Sequence, residues 1–275
     1  MDSVTIEAPA KLNLCLMVGP LRGDGYHPIR SLMVTLHGLV DTVTVTRASE
    51  RSVVCAGIDG RDNLAWRALD GLERSVGRAL PCTVRIDKQI PIQAGLGGGS
   101  SDAAATLVGA DRLFSLGLTT ASLERIAAEI GSDVPFFVRG GGQWAGGRGE
   151  RLVPAAVPEF AAVVVKPPFG LSTADVYAAF DALPVPEHGQ VTPPPLGMPQ
   201  LATWVRNDLW PPALSLRPEL GTVAADLRAV GARAVLLCGS GAAVAGLFDV
   251  LDAARGAAAQ LGDGSRQVFV VRAAA

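Results

Sequence analysis

The stretch "PIQAGLGGGSSDAAATL", Pro91 to Leu107, decides how this chain is read. It sets Gly95, Gly97, Gly98 and Gly99, then Ser100 and Ser101, directly ahead of a segment in which Ala103, Leu107, Ala110 and Phe114 recur at helical spacing. Glycines let a backbone come close to a ligand, and the helix behind them offers unpaired N–H groups and the positive end of its dipole. Ser100, Ser101 and Asp102 stand where capping side chains belong. The stretch reads either as a cradle for phosphate or as a glycine turn leading into a capped helix, and a bare glycine pattern does not separate the two.

Three familiar phosphate loops can be tested against the letters. A Walker A loop ends in Gly-Lys-Ser/Thr, whereas Gly99 is followed by Ser100 and Ser101 with no lysine. A dinucleotide fingerprint needs an acidic residue at the end of a strand about twenty positions on, and Asp111 falls inside the helix instead. A protein-kinase glycine loop needs V-A-I-K and H-R-D motifs, and neither occurs.

Outward from the loop, Lys11 to Val18 alternates as a strand, which puts Lys11 and Asn13 on one face and Leu12, Leu14 and Leu16 on the other. Asp41–Thr46 and Thr83–Ile86 read as further strands, and Asn63 to Val76 as a helix with Ala65, Ala68, Leu69, Leu72 and Val76 on one stripe. A second helix is expected from Thr120 to Ile130, stopped by Gly131. Asp133 follows in a turn, ahead of a proline expected to bias it away from helical geometry. The glycine-rich Gly140–Gly149 segment reads as a turn between short strands.

A change of composition at Pro154–Pro158 suggests a domain break, giving residues 1–153 and 154–275. The second part reads as strand, helix, strand, strand, helix, strand, which is the ferredoxin-like split βαβ order. An insertion after its first strand carries a short helix at Ala174–Leu183 and a proline-rich loop, Pro184–Pro199.

With 275 residues, 49% of them hydrophobic and 18% charged, the chain can bury a sizeable core. Its 24 basic and 26 acidic side chains leave a net charge of −2, which gives no footprint for nucleic acid or an anionic membrane. The start, Met1 to Thr5, lacks signal-peptide character and no apolar run is long enough to span a bilayer, so a cytoplasmic location is expected. Cys15, Cys55, Cys82 and Cys238 form no C-x-x-C pair and are expected to be reduced, mostly buried thiols.

The longer string Pro91-x-x-Ala94-Gly95-Leu96-Gly97-Gly98-Gly99-Ser100-Ser101-Asp102-Ala103-Ala104 resembles the phosphate loop of the GHMP kinases, named for galactokinase, homoserine kinase, mevalonate kinase and phosphomevalonate kinase. Two further motifs match in the right order, Pro9-Ala10-Lys11-Leu12-Asn13-Leu14 near the start and Cys238-Gly239-Ser240-Gly241-Ala242 near the end. The resemblance implies an α+β, two-domain GHMP kinase-like fold. Its N-terminal mixed α/β domain binds nucleotide, its C-terminal domain is ferredoxin-like, and the active site lies in the cleft between them. Arg22-Gly23-Asp24-Gly25-Tyr26-His27 and Gly131-Ser132-Asp133-Val134-Pro135-Phe136-Phe137 narrow the resemblance to the branch that uses ATP and Mg2+ to phosphorylate the 2-hydroxyl of 4-CDP-2-C-methyl-D-erythritol, in the non-mevalonate route to isoprenoids.

By that resemblance Pro91, Ile92, Gln93, Ala94, Gly95, Leu96, Gly97, Gly98, Gly99, Ser100 and Ser101 hold the nucleotide, and Gly239-Ser240-Gly241 closes beside its phosphates. Asp133 suits the general base for the hydroxyl. Lys11 can keep that carboxylate ionised and favour the developing alkoxide. Taken singly, Lys11 also reads as an exposed lysine on an edge strand and Asp133 as a helix cap. Asn13 fits an orienting role, while Tyr26 and His27 offer a flat ring and a hydrogen-bonding edge for a pyrimidine. Tyr177 stands where the family places a second aromatic ring and equally reads as a core contact of its helix, and Thr173 lies in a stretch that resembles a substrate-contacting one. No side chain is assigned as a direct metal ligand. The expected partner is the small-molecule substrate, with no nucleic acid or membrane, and the chain is expected to act as a monomer or homodimer. The competing expectations are a kinase of another small alcohol, or a non-catalytic nucleotide or sugar-phosphate sensor on the same scaffold. His37 is expected to be a satisfied structural histidine and His188 a solvated loop residue. The Trp204–Trp210 stretch has no assigned role.

Overall fold

A computed structural model describes residues 2–58, 60–188, 193–195, 197–262 and 264–273. In chain order the elements are β1 (Ser3–Val18), β2 (Ile29–Arg47), β3 (Ser52–Cys55), α1 (Leu64–Val76), β4 (Cys82–Asp87), α2 (Gly98–Phe114), α3 (Thr120–Ile130), α4 (Val134–Arg139), β5 (Gly142–Gly146) and β6 (Arg151–Pro154). There follow β7 (Phe160–Lys166), α5 (Thr173–Asp181), α6 (Met198–Trp204), β8 (Arg206–Asn207), α7 (Trp210–Leu216), α8 (Glu219–Ala229), β9 (Ala234–Leu237), β10 (Val244–Phe248), α9 (Leu251–Leu261) and β11 (Gln267–Ala273). Of the expected Pro184–Pro199 loop, residues 189–192 and 196 lie outside the described set.

By its internal contacts the chain divides into two compact units, each discontinuous in sequence. The first comprises Met1–Ala10, Val40–Ile90 and Gly97–Gly140; the second comprises Lys11–Leu39, Pro91–Leu96 and Gly141–Ala275. β1, β2 and the glycine loop each contribute residues to both.

In the first unit β4 runs antiparallel to β2, from Thr42↔Asp87 to Arg47↔Cys82, and parallel to β3. The alternation of Asp41 to Thr46 is obeyed, with Val43 and Val45 buried among Leu69, Leu72, Leu107 and Ile126. Asn63 caps α1 by accepting from the Ala65 N–H at 2.9 Å, and Gly77 ends it in the left-handed conformation at φ 68°. α3 has the expected bounds, but Gly131 closes it in extended geometry at φ −174°, so the left-handed freedom of glycine is not used there. α2 begins at Gly98, with Gly97 at its cap position and no side-chain cap bond. Ser100 and Ser101 are therefore inside the first turn and Asp102 just beyond it, none of them at the cap, which corrects the sequence expectation.

In the second unit β9, β10, β7 and β11 form an antiparallel sheet in that order, with α8 and α9 as the crossover helices. This is the ferredoxin-like arrangement. All seven residues of β7 are buried, and Val163, Val165, Leu220, Leu227 and Phe248 share one core. β2 pairs with β5 (Leu32↔Trp144), and β5 with β6 (Trp144↔Val153), so Gly142–Gly146 is a strand and only the residues after it turn. β8 adds parallel to β1 through Cys15↔Arg206 and Leu16↔Asn207, which gives the Trp204–Trp210 stretch a structural place. All four cysteines are free and buried. His37 is exposed on β2 opposite Arg272, not enclosed.

Candidate active site

Lys11 lies in β1, where burial on both faces replaces the simple inside–outside alternation. It is only 4% exposed, as is Asn13, so the edge-strand reading of a solvated lysine does not hold. The Lys11 ammonium donates to Asn13 Oδ1 at 2.5 Å, Asn13 Nδ2 donates to Ser31 Oγ at 2.8 Å, and Ser31 donates to the Cys15 carbonyl at 2.7 Å. This chain fixes the amide of Asn13 from both ends, and Ser31 is a member that the sequence did not single out. A buried cation needs such partners, because burial without them costs several kcal/mol, on the order of 2–7 even for a neutral polar group.

The first half of the glycine loop meets the Gly239–Gly241 turn at this point. Gly95, at φ 76°, passes so close that a Cβ there would sit 1.7 Å from the Cys238 carbonyl oxygen. The Ala242 and Ala243 N–H groups donate to the Gln93 and Ala94 carbonyls at 3.0 and 3.1 Å, and the Lys11 N–H to the Leu96 carbonyl at 3.0 Å. A Cβ on Gly239, at φ 53°, would lie 3.0 Å from Lys11 Nζ, so only glycine leaves room there for the ammonium. Burial pushes the Cys238 thiol up to about 12 despite the nearby Lys11 charge, which keeps it a neutral neighbour. Thr173 and Ser240, which the sequence placed in different roles, share a hydroxyl contact of 2.8 Å.

Asn207 supports the same turn: its Nδ2 donates to the Leu237 and Gly239 carbonyls at 2.9 and 2.7 Å, and its Oδ1 accepts from the Leu209 N–H. Next to it, Asp208 accepts from the Val18 N–H at 2.9 Å and pairs with His188 at 3.1 Å and Arg206 at 3.0 Å. His188 is thus anchored, not a free loop residue. Neither Asn207 nor Asp208 carries a local sequence signal beyond being a short polar side chain next to an aromatic-rich stretch.

In the loop after β1, Tyr26 is 50% exposed and lies under the Arg148 guanidinium, 4.8 Å from the ring centre. His27 is buried, its ring 5.3 Å from that of Tyr177 and 5.6 Å from that of Phe180, with Asp181 against its Nε2. Lys166, at the end of β7, donates to the Pro167 and Phe169 carbonyls at 2.8 and 2.6 Å and so shapes the loop leading to α5.

In the first unit, the start of α2 presents Gly98, Gly99, Ser100 and Ser101 with the dipole end of a 17-residue helix. The Ser101 hydroxyl and Asp102 Oδ1 are buried and have no hydrogen-bond partner among the described residues. Beside them Lys88 donates to Asp41 at 2.5 Å and to Asp102 at 2.7 Å. Asp41 also accepts the Gln89 and Ile90 N–H groups, so it is the better hydrogen-bonded carboxylate of the two. Burial pushes Asp102 up to about 7, with Lys88 pulling it down and Asp41 pushing it further up. Burial alone would lower Lys88, but the two carboxylates outweigh it and hold the ammonium above its ordinary value.

Asp133 stands at the cap position of α4 at φ −87° and ψ −12°, inside the helical region. The proline restriction falls on Val134, the residue directly before Pro135, which corrects the expected extended geometry. Its carboxylate makes no capping bond to α4, so capping does not explain it. Among the described residues no group of three His, Cys, Asp or Glu could hold a metal ion. The unpartnered Ser101 hydroxyl and Asp102 Oδ1 are the oxygens that the start of α2 would offer a cation carried in with nucleotide phosphates.

The model of the GHMP kinases N terminal domain matches residues 63–141. The 4-diphosphocytidyl-2-C-methyl-D-erythritol kinase of Anaeromyxobacter dehalogenans is 43% identical over 94% of this chain and 84% of its own length. That of Nocardia farcinica is 42% identical over 94% and 89%. A crystal structure of 4-(cytidine 5'-diphospho)-2C-methyl-D-erythritol kinase superposes with a TM-score of 0.80 at 35% identity, covering 99% of this chain and 100% of that one. Homoserine kinase from Cytophaga hutchinsonii, at 16% identity and a TM-score of 0.74, shares the fold. Similarity of this strength over nearly the whole length means that the chain belongs to the 4-diphosphocytidyl-2-C-methyl-D-erythritol kinases, a branch of the GHMP kinases.

Proposed function

We propose that this chain transfers the γ-phosphoryl group of ATP to the 2-hydroxyl of 4-CDP-2-C-methyl-D-erythritol, giving the 2-phosphate and ADP in the non-mevalonate route to isoprenoid precursors. The observation that carries the reading is the buried Lys11–Asn13–Ser31 chain, whose ammonium lies against the Gly239 turn. A sensor has no use for a desolvated ammonium at such a point, whereas phosphoryl transfer to an alcohol needs positive charge where an alkoxide forms.

In this reading Asp133 accepts the proton of the 2-hydroxyl. Lys11 draws that oxygen into line and offsets the charge that develops on it, and Asn13 keeps the ammonium directed. The backbone N–H groups of Gly95–Ser101 receive the phosphates, and Gly239-Ser240-Gly241 covers them. Mg2+, when bound with ATP, supplies charge neutralisation on the phosphate oxygens. Tyr26, His27 and Tyr177 take the cytosine, with Thr173 on the substrate side. We place the enzyme in the cytoplasm, as a monomer or homodimer acting on small molecules; no helix among the described residues is long and apolar enough to cross a membrane.

The test is ADP release with 4-CDP-2-C-methyl-D-erythritol, mevalonate and homoserine in parallel, repeated with Asp133→Asn. Turnover confined to the cytidine substrate and lost in the variant is expected. Equal turnover of mevalonate or homoserine would overturn the substrate assignment, and undiminished activity of the variant would remove Asp133 from the chemistry.

A further inference from the structure

The loop from Gly19 to Pro28 is closed on itself. The Gly19 N–H donates to the Pro28 carbonyl at 2.8 Å, the Arg22 N–H to the Tyr26 carbonyl at 2.9 Å and the Gly25 N–H to the Arg22 carbonyl at 3.0 Å. The Asp24 carboxylate accepts the Tyr26 N–H and pairs with Arg22. Such a loop has a definite shape but needs something outside it to set its orientation. His27 provides that link. Its Nδ1 lies 2.8 Å from the Gly19 carbonyl oxygen, within the loop, and its Nε2 lies 3.1 Å from Asp181 Oδ1, on α5. Both ring nitrogens therefore face oxygen acceptors, and rotation of the ring breaks both contacts together.

Tyr177, Phe180 and Asp181 are three and four residues apart, on one face of α5, and all three touch this imidazole. Asp181 is the last residue of that helix, and no basic side chain lies in the last turn. A carboxylate there faces the negative end of the helix dipole and opposes helix stability. Its placement is unfavourable for α5 and favourable only for what it holds.

We propose that Asp181 is a positioning residue for the pyrimidine end of the substrate: through His27 Nε2 it fixes how the Tyr26–His27 turn stands relative to Tyr177. The inference rests on the reading that Tyr26, His27 and Tyr177 receive the base. Asp181 touches none of the reacting atoms, so its loss acts on binding of one substrate and leaves the chemical step alone.

The experiment is steady-state ADP release by the full chain, varying the cytidine substrate at saturating ATP and then the reverse, with Asp181→Ala, Asp181→Asn, Asp181→Glu and Tyr26→Ala and a melting curve for each. Asp181→Ala should raise KM for the cytidine substrate by about tenfold, the effect of losing one charged hydrogen bond partly screened by water. kcat and KM for ATP should stay within about twofold of the parent, since substrate binding alone is affected. Asp181→Asn keeps an acceptor oxygen and should fall between; Asp181→Glu should restore part of the loss; the melting temperature should hold or rise because the helix end is relieved of its charge. If Tyr26→Ala raises this KM and Asp181→Ala does not, the positioning role is wrong while the base-binding reading stands. If neither variant moves it, the base-binding reading fails and takes the inference with it. A fall in kcat and in melting temperature together with a rise in both KM values would reduce Asp181 to a structural residue and overturn the inference as well.

Discussion

Replacing Gly95 by alanine tests how the two glycine-bearing segments depend on each other. The added Cβ would lie 1.7 Å from the Cys238 carbonyl oxygen, 2.7 Å from its carbon and 2.8 Å from the Gly241 nitrogen, all backbone atoms that no rotamer can move away. Ordinary carbon–oxygen contact needs about 3.3 Å, so the Gln93–Leu96 segment and the Gly239 turn must separate by about 1.6 Å. The bonds from Ala242 N–H to the Gln93 carbonyl and from Ala243 N–H to the Ala94 carbonyl, now 3.0 and 3.1 Å, do not survive such a shift. Two backbone bonds at about 1 kcal/mol each, with about 1 kcal/mol more for a left-handed alanine, give a loss of about 3 kcal/mol. Gly117→Ala is the control, because Gly117 has φ 68° with nothing within 4 Å of its would-be Cβ and should lose only the conformational part, about 1 kcal/mol. Urea denaturation of both variants reads the difference, and ADP-release kinetics should show a raised KM for ATP in Gly95→Ala alone. Equal stability of the two variants, or a parental KM for ATP in Gly95→Ala, would refute the close-approach argument.

Two further outcomes follow from the buried polar groups. Asp102 is pushed up to about 7 when folded, against an ordinary value of 3.8, so between those values the folded chain holds a proton that the unfolded chain has released. Its contribution to stability therefore declines as pH rises through that window. Asp102→Asn should gain more melting temperature over the parent at about pH 8 than at about pH 5; a gain that is equal, or larger in acid, counts against this placement of the proton. Asn207→Ala strips two donors from the Leu237 and Gly239 carbonyls and should cost about 2 kcal/mol in urea denaturation and lower kcat through the loosened turn; parental stability and kcat would mean that the turn does not depend on Asn207.

The elements legible in the sequence are those whose burial follows one period. α1, α3 and the strand at Cys82–Asp87 show their stripes plainly, because each buries a single face. The length of β2 was not legible: Ser31 to Leu36 are all buried, and a strand covered on both faces has no alternation to read. The same double burial hid the surroundings of Lys11. The glycine motifs marked where backbone comes close, since Gly95 and Gly239 are required by contacts that no other residue tolerates. What supports them was not visible. Asn207 reaches carbonyls 30 and 32 positions away, and Lys88 joins Asp41 and Asp102 across 47 and 14. A short polar side chain in sequence says nothing of partners that only the fold brings near.

The interleaving of the two units in the chain bears on how the protein is made. Every residue of the first unit has been synthesised once Gly140 is added, and its buried cluster, Val4 to Val134, can close when that stretch clears the ribosome. The second unit then holds only Lys11–Leu39 and Pro91–Leu96, and its sheet waits for β11, whose Arg272 pairs with His37 on β2 and whose Phe269 pairs with Val164 on β7. A nascent chain therefore carries the apolar strand segments Leu12–Val18 and Leu32–Leu36 through most of its synthesis before their last neighbours exist. No single break in the polypeptide frees either unit from the other, so fragments cut at any one position should be judged as incomplete chains rather than as isolated domains.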